Sequence, residues 1–402
     1  MSVFKLKSTI RVNCAKRCGI YLKMEVEALG YKVDEATDAS VQITGTLVDC
    51  MRLNLHLRTA YRVMFLLDSF EAENPEQLYE RLVSLPWEEY IEPKGYISIG
   101  SFVENDYIKD TRFANLKVKD AIVDRMKKKT GNRPDSGPDT DKMVIYLYWK
   151  NSEAAIFIDT SGETIAKHRY RSVTVKAPMQ EALAASVIMA TKWDRQSAFV
   201  NPMCGSGTLA IEAALMAMNK APGLMRIDFG YSHIRGYDDK IAKDMRQEAV
   251  SKISGNLHFP IIATDNDPHA ISAARANAMA ARVENLIRFE KCDFEETRIP
   301  ETQKGIVILN PEYGERMGEA DILEVTYAAI GDFFKKKCKG YTGYIFTGNM
   351  DLAQKVRLQT KRRIEFYNGK IDCRLLEYEL YEGTRVIKED SGIRNKKFCV
   401  DD

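Results

Sequence analysis

Hydrophobic and polar positions change period several times along the chain. Residues 5–13 alternate and are rich in Val, Ile and Thr, which predicts a strand. Residues 18–29 carry Ile20, Leu22, Met24, Val26 and Leu29 at helical spacing and stop at Gly30, which predicts a helix. Residues 41–47 predict another strand, and 49–57, 75–85 and 116–126 predict helices. Residues 144–149 and 153–159 predict a hairpin around Lys150-Asn151-Ser152. Between the helix at 116–126 and this hairpin, residues 127–138 begin with three lysines and are rich in turn formers, so they are expected to form a surface loop of the first half.

A change of character is expected near residues 170–178. Residues 181–193 predict a helix. From residue 197 the order is strand, glycine turn, helix, strand, helix, the signature of a parallel, doubly wound sheet. Strands are expected at 198–200, 261–264, 287–290 and 305–309, and helices at 209–219 and 270–281. The polar stretch from residue 384 onward predicts an extended tail.

Composition narrows the class. The chain has 402 residues, enough for two or three domains, with 45% hydrophobic and 29% charged residues. A formal net charge of +2 requires any nucleic-acid surface to be local. No apolar run approaches the roughly 18 residues of a membrane helix, and Met1-Ser2-Val3-Phe4-Lys5 does not begin a signal peptide, so a cytoplasmic protein is expected. The eight cysteines are scattered and suggest no disulfide framework. Cys14 and Cys18 form a close pair, but the five histidines supply no matching ligands, and no metal site is expected.

The strand ends carry the candidate chemistry. After the strand at 198–200 comes Asn201-Pro202-Met203-Cys204-Gly205-Ser206-Gly207-Thr208, then a helix, a place where glycines let a ligand approach the backbone and free amides face it. The loop lacks the third glycine of the nicotinamide fingerprint, because Ala210 stands there, and no phosphate loop is present. Asp265 ends the next strand and suits the two hydroxyls of a ribose, with Asn266 beside it. Asp293 and Phe294 follow the third strand, where a carboxylate suits an adenine amino group and Phe294 or Cys292 lies beside the ring. Singly, Asp265 reads equally as a helix cap and Asp293 as a turn residue. Three consecutive strand ends with the right groups favour a nucleoside cofactor. The fourth strand ends at Asn310-Pro311-Glu312-Tyr313. An exocyclic base nitrogen is a poor nucleophile because its lone pair is delocalised. Hydrogen bonds from it to the Asn310 amide oxygen and the Pro311 carbonyl favour pyramidal nitrogen, and Tyr313 can stack on an unstacked base. A plain Asn-Pro turn is the alternative.

These residues resemble a known family. Asn201 to Thr208 is similar to the Asp-Pro-x-Cys-Gly-Ser-Gly-Thr loop of THUMP-domain RNA methyltransferases, and Asn310 to Tyr313 to their Asn-Pro-Pro-Tyr motif, continued by Gly314-Glu315-Arg316. Within that family the chain looks like the bacterial ribosomal RNA guanine-N2 methyltransferases. The stretches at 57–63, 111–121, 159–171, 177–185 and the hairpin residues Tyr367-Asn368-Gly369 and Cys373-Arg374-Leu375 resemble the same family. The resemblance implies an α/β protein: a ferredoxin-like subdomain (1–65), a THUMP RNA-binding domain (66–172), a Rossmann-like, doubly wound methyltransferase domain (173–385) and a tail (386–402). It implies S-adenosylmethionine (SAM) as cofactor, held by Pro178, Asn201, Met203, Cys204, Gly205, Ser206, Gly207, Thr208, Asp265, Asn266, Asp293, Phe294 and Asn310. Asn310, Pro311 and Tyr313 are then catalytic. Arg58, Arg62, Arg112, Lys117 and Lys119 are implied RNA contacts, against the alternative of solvated or internally paired charges. The implied partner is 23S-type ribosomal RNA or an assembly intermediate, with a monomeric enzyme expected. Alternatives are tRNA guanine-N2 or N6-adenine methylation, or, in another class, an RNA-binding assembly protein with a weakened SAM site. A protein-glutamine methyltransferase shares the catalytic motif but leaves the N-terminal half unexplained. Two positions depart from the pattern: Asn201 stands where the family has an acid, and Glu312 where it has a second proline.

Overall fold

Two sheets organise the chain in the computed structural model, which describes residues 2–174, 178–313 and 320–382. Ala177, Gly314-Glu315-Arg316 and the tail at 386–402, all named above, lie outside the described residues.

The first sheet contains β1 (Ser8–Cys14), β2 (Glu35–Ala36), β3 (Ser40–Gly45), β4 (Ala60–Glu71), β5 (Tyr96–Glu104), β6 (Asp135–Ser136), β7 (Met143–Lys150) and β8 (Glu153–Asp159), in the order β2-β3-β1-β4-β8-β7-β5-β6. Its helices are α1 (Gly19–Ala28), α2 (Leu47–His56), α3 (Pro75–Ser84) and α4 (Thr111–Thr130). The sheet is continuous because β4 is long. Its first half pairs antiparallel with β1, Ile10 opposite Phe65, and its later residues pair with β8, from Met64 opposite Asp159 to Glu71 opposite Glu153. The division expected between residues 65 and 66 falls inside this strand.

The second sheet contains β9 (Phe199–Pro202), β10 (Ile261–Asp265), β11 (Ile287–Lys291), β12 (Ile306–Leu309), β13 (Thr342–Thr347), β14 (Arg362–Asn368) and β15 (Ile371–Glu379). The order is β11-β10-β9-β12-β13-β15-β14. The first five strands are parallel and the final hairpin inserts β15 antiparallel to β13. Its helices are α5 (Glu181–Thr191), α6 (Thr208–Ala217), α7 (Asp239–Ser251), α8 (Pro268–Ala280), α9 (Ala320–Lys337) and α10 (Met350–Gln354). β9 and β12 are buried at every residue, as strands covered on both faces must be, which is why residues 198–200 and 306–309 read as apolar runs. The expected α/β architecture, a doubly wound sheet behind an α+β region, is the one found.

Helix α6 is buried from Thr208 to Met216. One side covers the sheet and the other meets α5 and the N-terminal region. There the Arg58 guanidinium donates to the backbone oxygens of Lys220 (2.7 Å) and Leu215 (3.4 Å). Arg226 donates to the carbonyls of Thr164 (2.8 Å) and Glu163 (3.0 Å), and Tyr61 Oη to Gln180 (2.7 Å). The two halves therefore share a polar seam as well as apolar contacts.

Three expectations are corrected. The basic segment is not all loop: α4 starts at Thr111, capped by Asp110, and continues through Lys127, Lys128 and Lys129 to Thr130. Lysine is a good helix former, and its charge suits the last turn of the helix. The stop is Gly131, at φ +72°, the left-handed conformation glycine adopts freely. Strands β4 and β5 were not expected, because Arg62, Asp68 and Ser69 interrupt the alternation in the first and Gly100 the second. The spacing of Cys14 and Cys18 also fits two small buried residues at i and i+4 of a helix start, but Cys14 ends β1 and Cys18 precedes α1. Both are buried, and burial pushes the Cys18 thiol up to about 11. Among the described residues no helix is long and apolar enough to cross a membrane.

Candidate cofactor and base site

The chain runs outward from β9 through β10 to β11, then returns to β12 on the other side of β9 and continues to β13. The β9–β12 pair is thus the topological switch point, and the crevice outside its carboxyl ends is where such sheets hold ligands. Both motifs singled out in the sequence lie at these ends.

The loop after β9 is shaped by backbone conformations. Met203, Gly205 and Gly207 have φ of +53°, +55° and +80°. The Gly207 amide donates back to the Cys204 carbonyl (2.9 Å), and Cys204 N donates to Thr264 O (3.0 Å), pinning the loop to β10. A Cβ on Gly207 would sit 2.9 Å from the Ala274 Cβ, so glycine here also permits α6 and α8 to approach. Gly207 caps α6 without any side-chain acceptor, leaving first-turn amides for a ligand.

Asp265 accepts Gly205 N–H at Oδ2 (2.9 Å) and Asp267 N–H at Oδ1 (3.0 Å). One carboxylate therefore fixes the glycine loop and the start of α8, with lone pairs to spare for hydroxyl donors. Asn266 beside it is exposed. Asp293 is half-buried and accepts Glu295 N–H (3.0 Å) as a cap of a short turn. The Phe294 ring, 8% exposed, packs edge-on against Phe333 in the core, and Cys292 at the same strand end is half-buried. Pro178 is half-buried just before α5.

Asn201 is 1% exposed and bridges the switch point. Its Nδ2 donates to the Ile308 carbonyl of β12 (2.9 Å). An ionised aspartate has no donor for that carbonyl, so asparagine supplies a cross-strand link that the family's acid cannot. The Asn201 Oδ1 and, two residues beyond Ile308, the Asn310 Oδ1 are both buried with no hydrogen-bond partner among the described residues. A buried acceptor left unpaired costs about 1–3 kcal/mol, so both await donors. Pro311 is buried, Glu312 exposed and Tyr313 half-buried. Tyr313 Oη accepts from Asn368 Nδ2 of β14 (2.9 Å).

Several determinants were not legible as site residues. Arg171 reaches over the loop, donating to Met179 O (2.6 Å), Thr208 Oγ1 (3.1 Å) and Ser206 Oγ (3.3 Å), and pairs with buried Glu181 (3.2 Å). The hydroxyls of Ser206 and Thr208 thus have protein partners. Asn277 of α8 clamps the segment before the loop, accepting from the amides of Ser172 and Val173 and donating to the Val173 and Ser206 carbonyls. A family-like Arg-Tyr-Arg at 169–171 was the signal available for Arg171.

The five basic residues do not form one surface. Arg58 is corrected: it is 9% exposed and spends its guanidinium on carbonyls of the second half, and burial pulls its pKa down. Arg62 pairs with the fully buried Asp159 and donates to the Gly162 carbonyl (3.0 Å), an internal role. Lys117 lies 3.7 Å from Glu76 and Lys119 3.2 Å from Asp120. Arg112 has an 87% exposed side chain while pairing with Asp110.

The residues present suit a nucleoside-sulfonium cofactor: a glycine cradle, free helix amides, a carboxylate at the second strand end and buried amide oxygens awaiting N–H donors. A profile described as the RMKL-like methyltransferase domain matches residues 168–377, one described as the RlmL ferredoxin-like domain matches 9–64, and a THUMP domain matches 72–159. The ribosomal RNA large subunit methyltransferase K/L of Syntrophotalea carbinolica is 35% identical over 367 residues, covering 89% of this chain and 52% of that protein. This chain thus spans about half the length of such relatives. A putative RNA methyltransferase of Synechocystis, slr0064, is 30% identical, covering 89% of this chain and 93% of its own. The crystal structure of SMU.472, a putative methyltransferase complexed with SAH, is 26% identical, with a TM-score of 0.85 over 95% of this chain and 100% of that one. The chain belongs to the RMKL-like methyltransferase family, with an RlmL-type ferredoxin-like domain and a THUMP domain ahead of its methyltransferase domain.

Proposed function

We propose that the chain is a SAM-dependent RNA methyltransferase that acts on the N2 amino group of a guanine in ribosomal RNA of the 23S type. The observation that carries this reading is the Asn310 Oδ1 at the switch point, buried and without a partner among the described residues, followed by Pro311 and an anchored Tyr313. In this reading residues 1–65 and 66–172 grip folded RNA and 173–385 carry the chemistry, in the cytoplasm where ribosomal RNA is assembled. The named relatives support RNA as the substrate class.

SAM supplies an activated methyl on sulfur, so no strong base is needed. The loop from Met203 to Thr208 and the α6 amides would hold its methionine portion, with Asn201 Oδ1 accepting from the ammonium. Asp265 would accept the ribose hydroxyls, and Asp293 the adenine amino group. Asn310 Oδ1 and the Pro311 carbonyl accept the two hydrogens of the target amine and direct its lone pair outward. Tyr313 stacks on the base, which must leave its helix to reach the crevice. Most of the rate then comes from positioning.

The test is transfer of labelled methyl from SAM to purified ribosomal RNA, with nucleoside mass spectrometry to name the product. N2-methylguanosine, lost in Asn310→Ala, is expected. N6-methyladenosine, or transfer to tRNA alone, would redirect the substrate, and SAM binding too weak to detect beside tight RNA binding would leave an assembly protein.

A further inference from the structure

Three consecutive residues of β14 meet three different partners. Phe366 is fully buried and stacks on Tyr21 of α1, with centroids 5.7 Å apart and planes at 13°. Tyr367 lies beneath the Arg17 guanidinium, 4.7 Å from the ring centroid, with the Lys16 ammonium at 5.4 Å. Asn368 donates from Nδ2 to Tyr313 Oη at 2.9 Å. The first two contacts come from the N-terminal region and the third goes to the base site.

Arg17 is held firmly. Its Nη1 lies 3.0 Å from Asp372 Oδ1 and 3.2 Å from Glu365 Oε2, on the two strands of the same hairpin. Its φ is +69°, a conformation that a residue with a side chain keeps only when its surroundings dictate it. Tyr313 is restrained further at its ring and at its backbone. A Cβ on Gly348 would come within 3.2 Å of Tyr313 Cδ2 and Cε2, so the ring already lies against that backbone. Asn349 Nδ2 reaches the Tyr313 carbonyl at 3.4 Å. The bond at Oη lies on the ring's own axis. It therefore limits the swing about χ1, while the Gly348 contact limits rotation about χ2.

We infer that Asn368 is a positioning residue that sets where the Tyr313 ring stands, and that the N-terminal region braces it through the contacts of Arg17 and Tyr21 with β14. The inference rests on the reading of Tyr313 as the platform for the target base. It gives the N-terminal half a second task beside gripping RNA, which is to stiffen the hairpin from which the platform hangs.

Two readouts separate this inference from the functional reading. The first needs no methyl transfer: 19F NMR of protein labelled with 3-fluorotyrosine, the Tyr313 resonance assigned by its loss in Tyr313→Phe. Asn368→Ala is expected to move or broaden that resonance, and Arg17→Met to shift it as well. An unchanged resonance in Asn368→Ala overturns the anchor, and one unchanged in Arg17→Met overturns the brace. The second is a kinetic cycle. Asn368→Ala is expected to lower kcat roughly tenfold, as loss of one half-buried hydrogen bond implies, with KM for SAM unchanged. Combined with Tyr313→Phe it should add nothing to that single change. Losses that multiply, or a raised KM for SAM with kcat intact, overturn the inference. Should Asn368→Ala fail to fold, Asn368→Gln, which displaces the amide by one methylene, serves both readouts. A wild-type protein that methylates no RNA would sink the functional reading, while the NMR arm would still decide the anchor.

Discussion

The imidazole of His168 stands between two acceptors: Glu212 Oε1 lies 2.7 Å from Nδ1 and the Arg58 backbone oxygen 3.0 Å from Nε2. A neutral ring has one N–H, so serving both requires the doubly protonated form. Burial, the largest influence, opposes that charge, and the Glu212 carboxylate outweighs it, so the pKa is raised. A raised folded-state pKa makes a contribution that is fully present below the unfolded value, near 6.5, and is lost as pH climbs through the folded value. Urea melts from pH 6 to pH 9 should show stability falling across that window. His168→Gln should cost about 3 kcal/mol at pH 6, because it leaves Glu212 buried and uncompensated, and should flatten the alkaline fall.

Asn310 makes the sharpest catalytic prediction. Asn310→Ala removes the acceptor for the target amine and no hydrogen bond seen in the fold, since Oδ1 is unpartnered among the described residues. Single-turnover methyl transfer should drop by roughly two to three orders of magnitude, as for loss of a positioned polar group. Thermal stability should hold or rise slightly. A large fall in Tm with transfer intact would remove Asn310 from the reaction.

Gly207 carries two constraints at once, a left-handed backbone and a close approach to Ala274. Gly207→Ala should destabilise the fold by about 2 kcal/mol, the combined scale of a strained φ and an overpacked contact. It should also weaken SAM binding measured by calorimetry, because the α6 amides shift with the loop. The same substitution at Gly131, which has φ of +72° and open space for a Cβ, should cost stability alone.

Arg58 and Arg112 should separate cleanly. Arg58→Ala strips donors from two carbonyls at the seam between the halves and should cost roughly 3 kcal/mol in chemical denaturation, the range for breaking a buried polar network. Arg112→Ala should leave the melting curve unchanged. If the N-terminal region binds RNA along α4, it should reduce the slope of log K against log salt by about one charge.

Much of the second half was legible because parallel strands and their turns are local signals. The apolar runs at β9 and β12, the glycine loop and the acids at successive strand ends each announce themselves within a few residues. What escaped was set by distant partners. Arg58 looks like a surface cation until the carbonyls of Leu215 and Lys220 arrive to receive it. Arg171 gives no sign that it will span Ser206 and Thr208, nor Asn277 that it will clamp the segment at Ser172 and Val173. β4 hid because its polar residues are paired, Arg62 with Asp159 and Asp68 with Arg81. A sequence reads burial as apolarity, and these positions are buried or sheltered through partnership.

Strand β4 also limits how the molecule can be taken apart. A cut between residues 65 and 66, which the domain boundaries invite, would divide one strand that serves two neighbours. The downstream fragment would start with Leu66 and lose the partners of Asp159 and Ile158, baring the end of β8. Such an edge is a template for another chain. An RNA-binding fragment made for separate study should therefore begin before Ser8, so that β1 still covers one edge of β4 while β8 covers the other, or it will report on self-association in place of RNA.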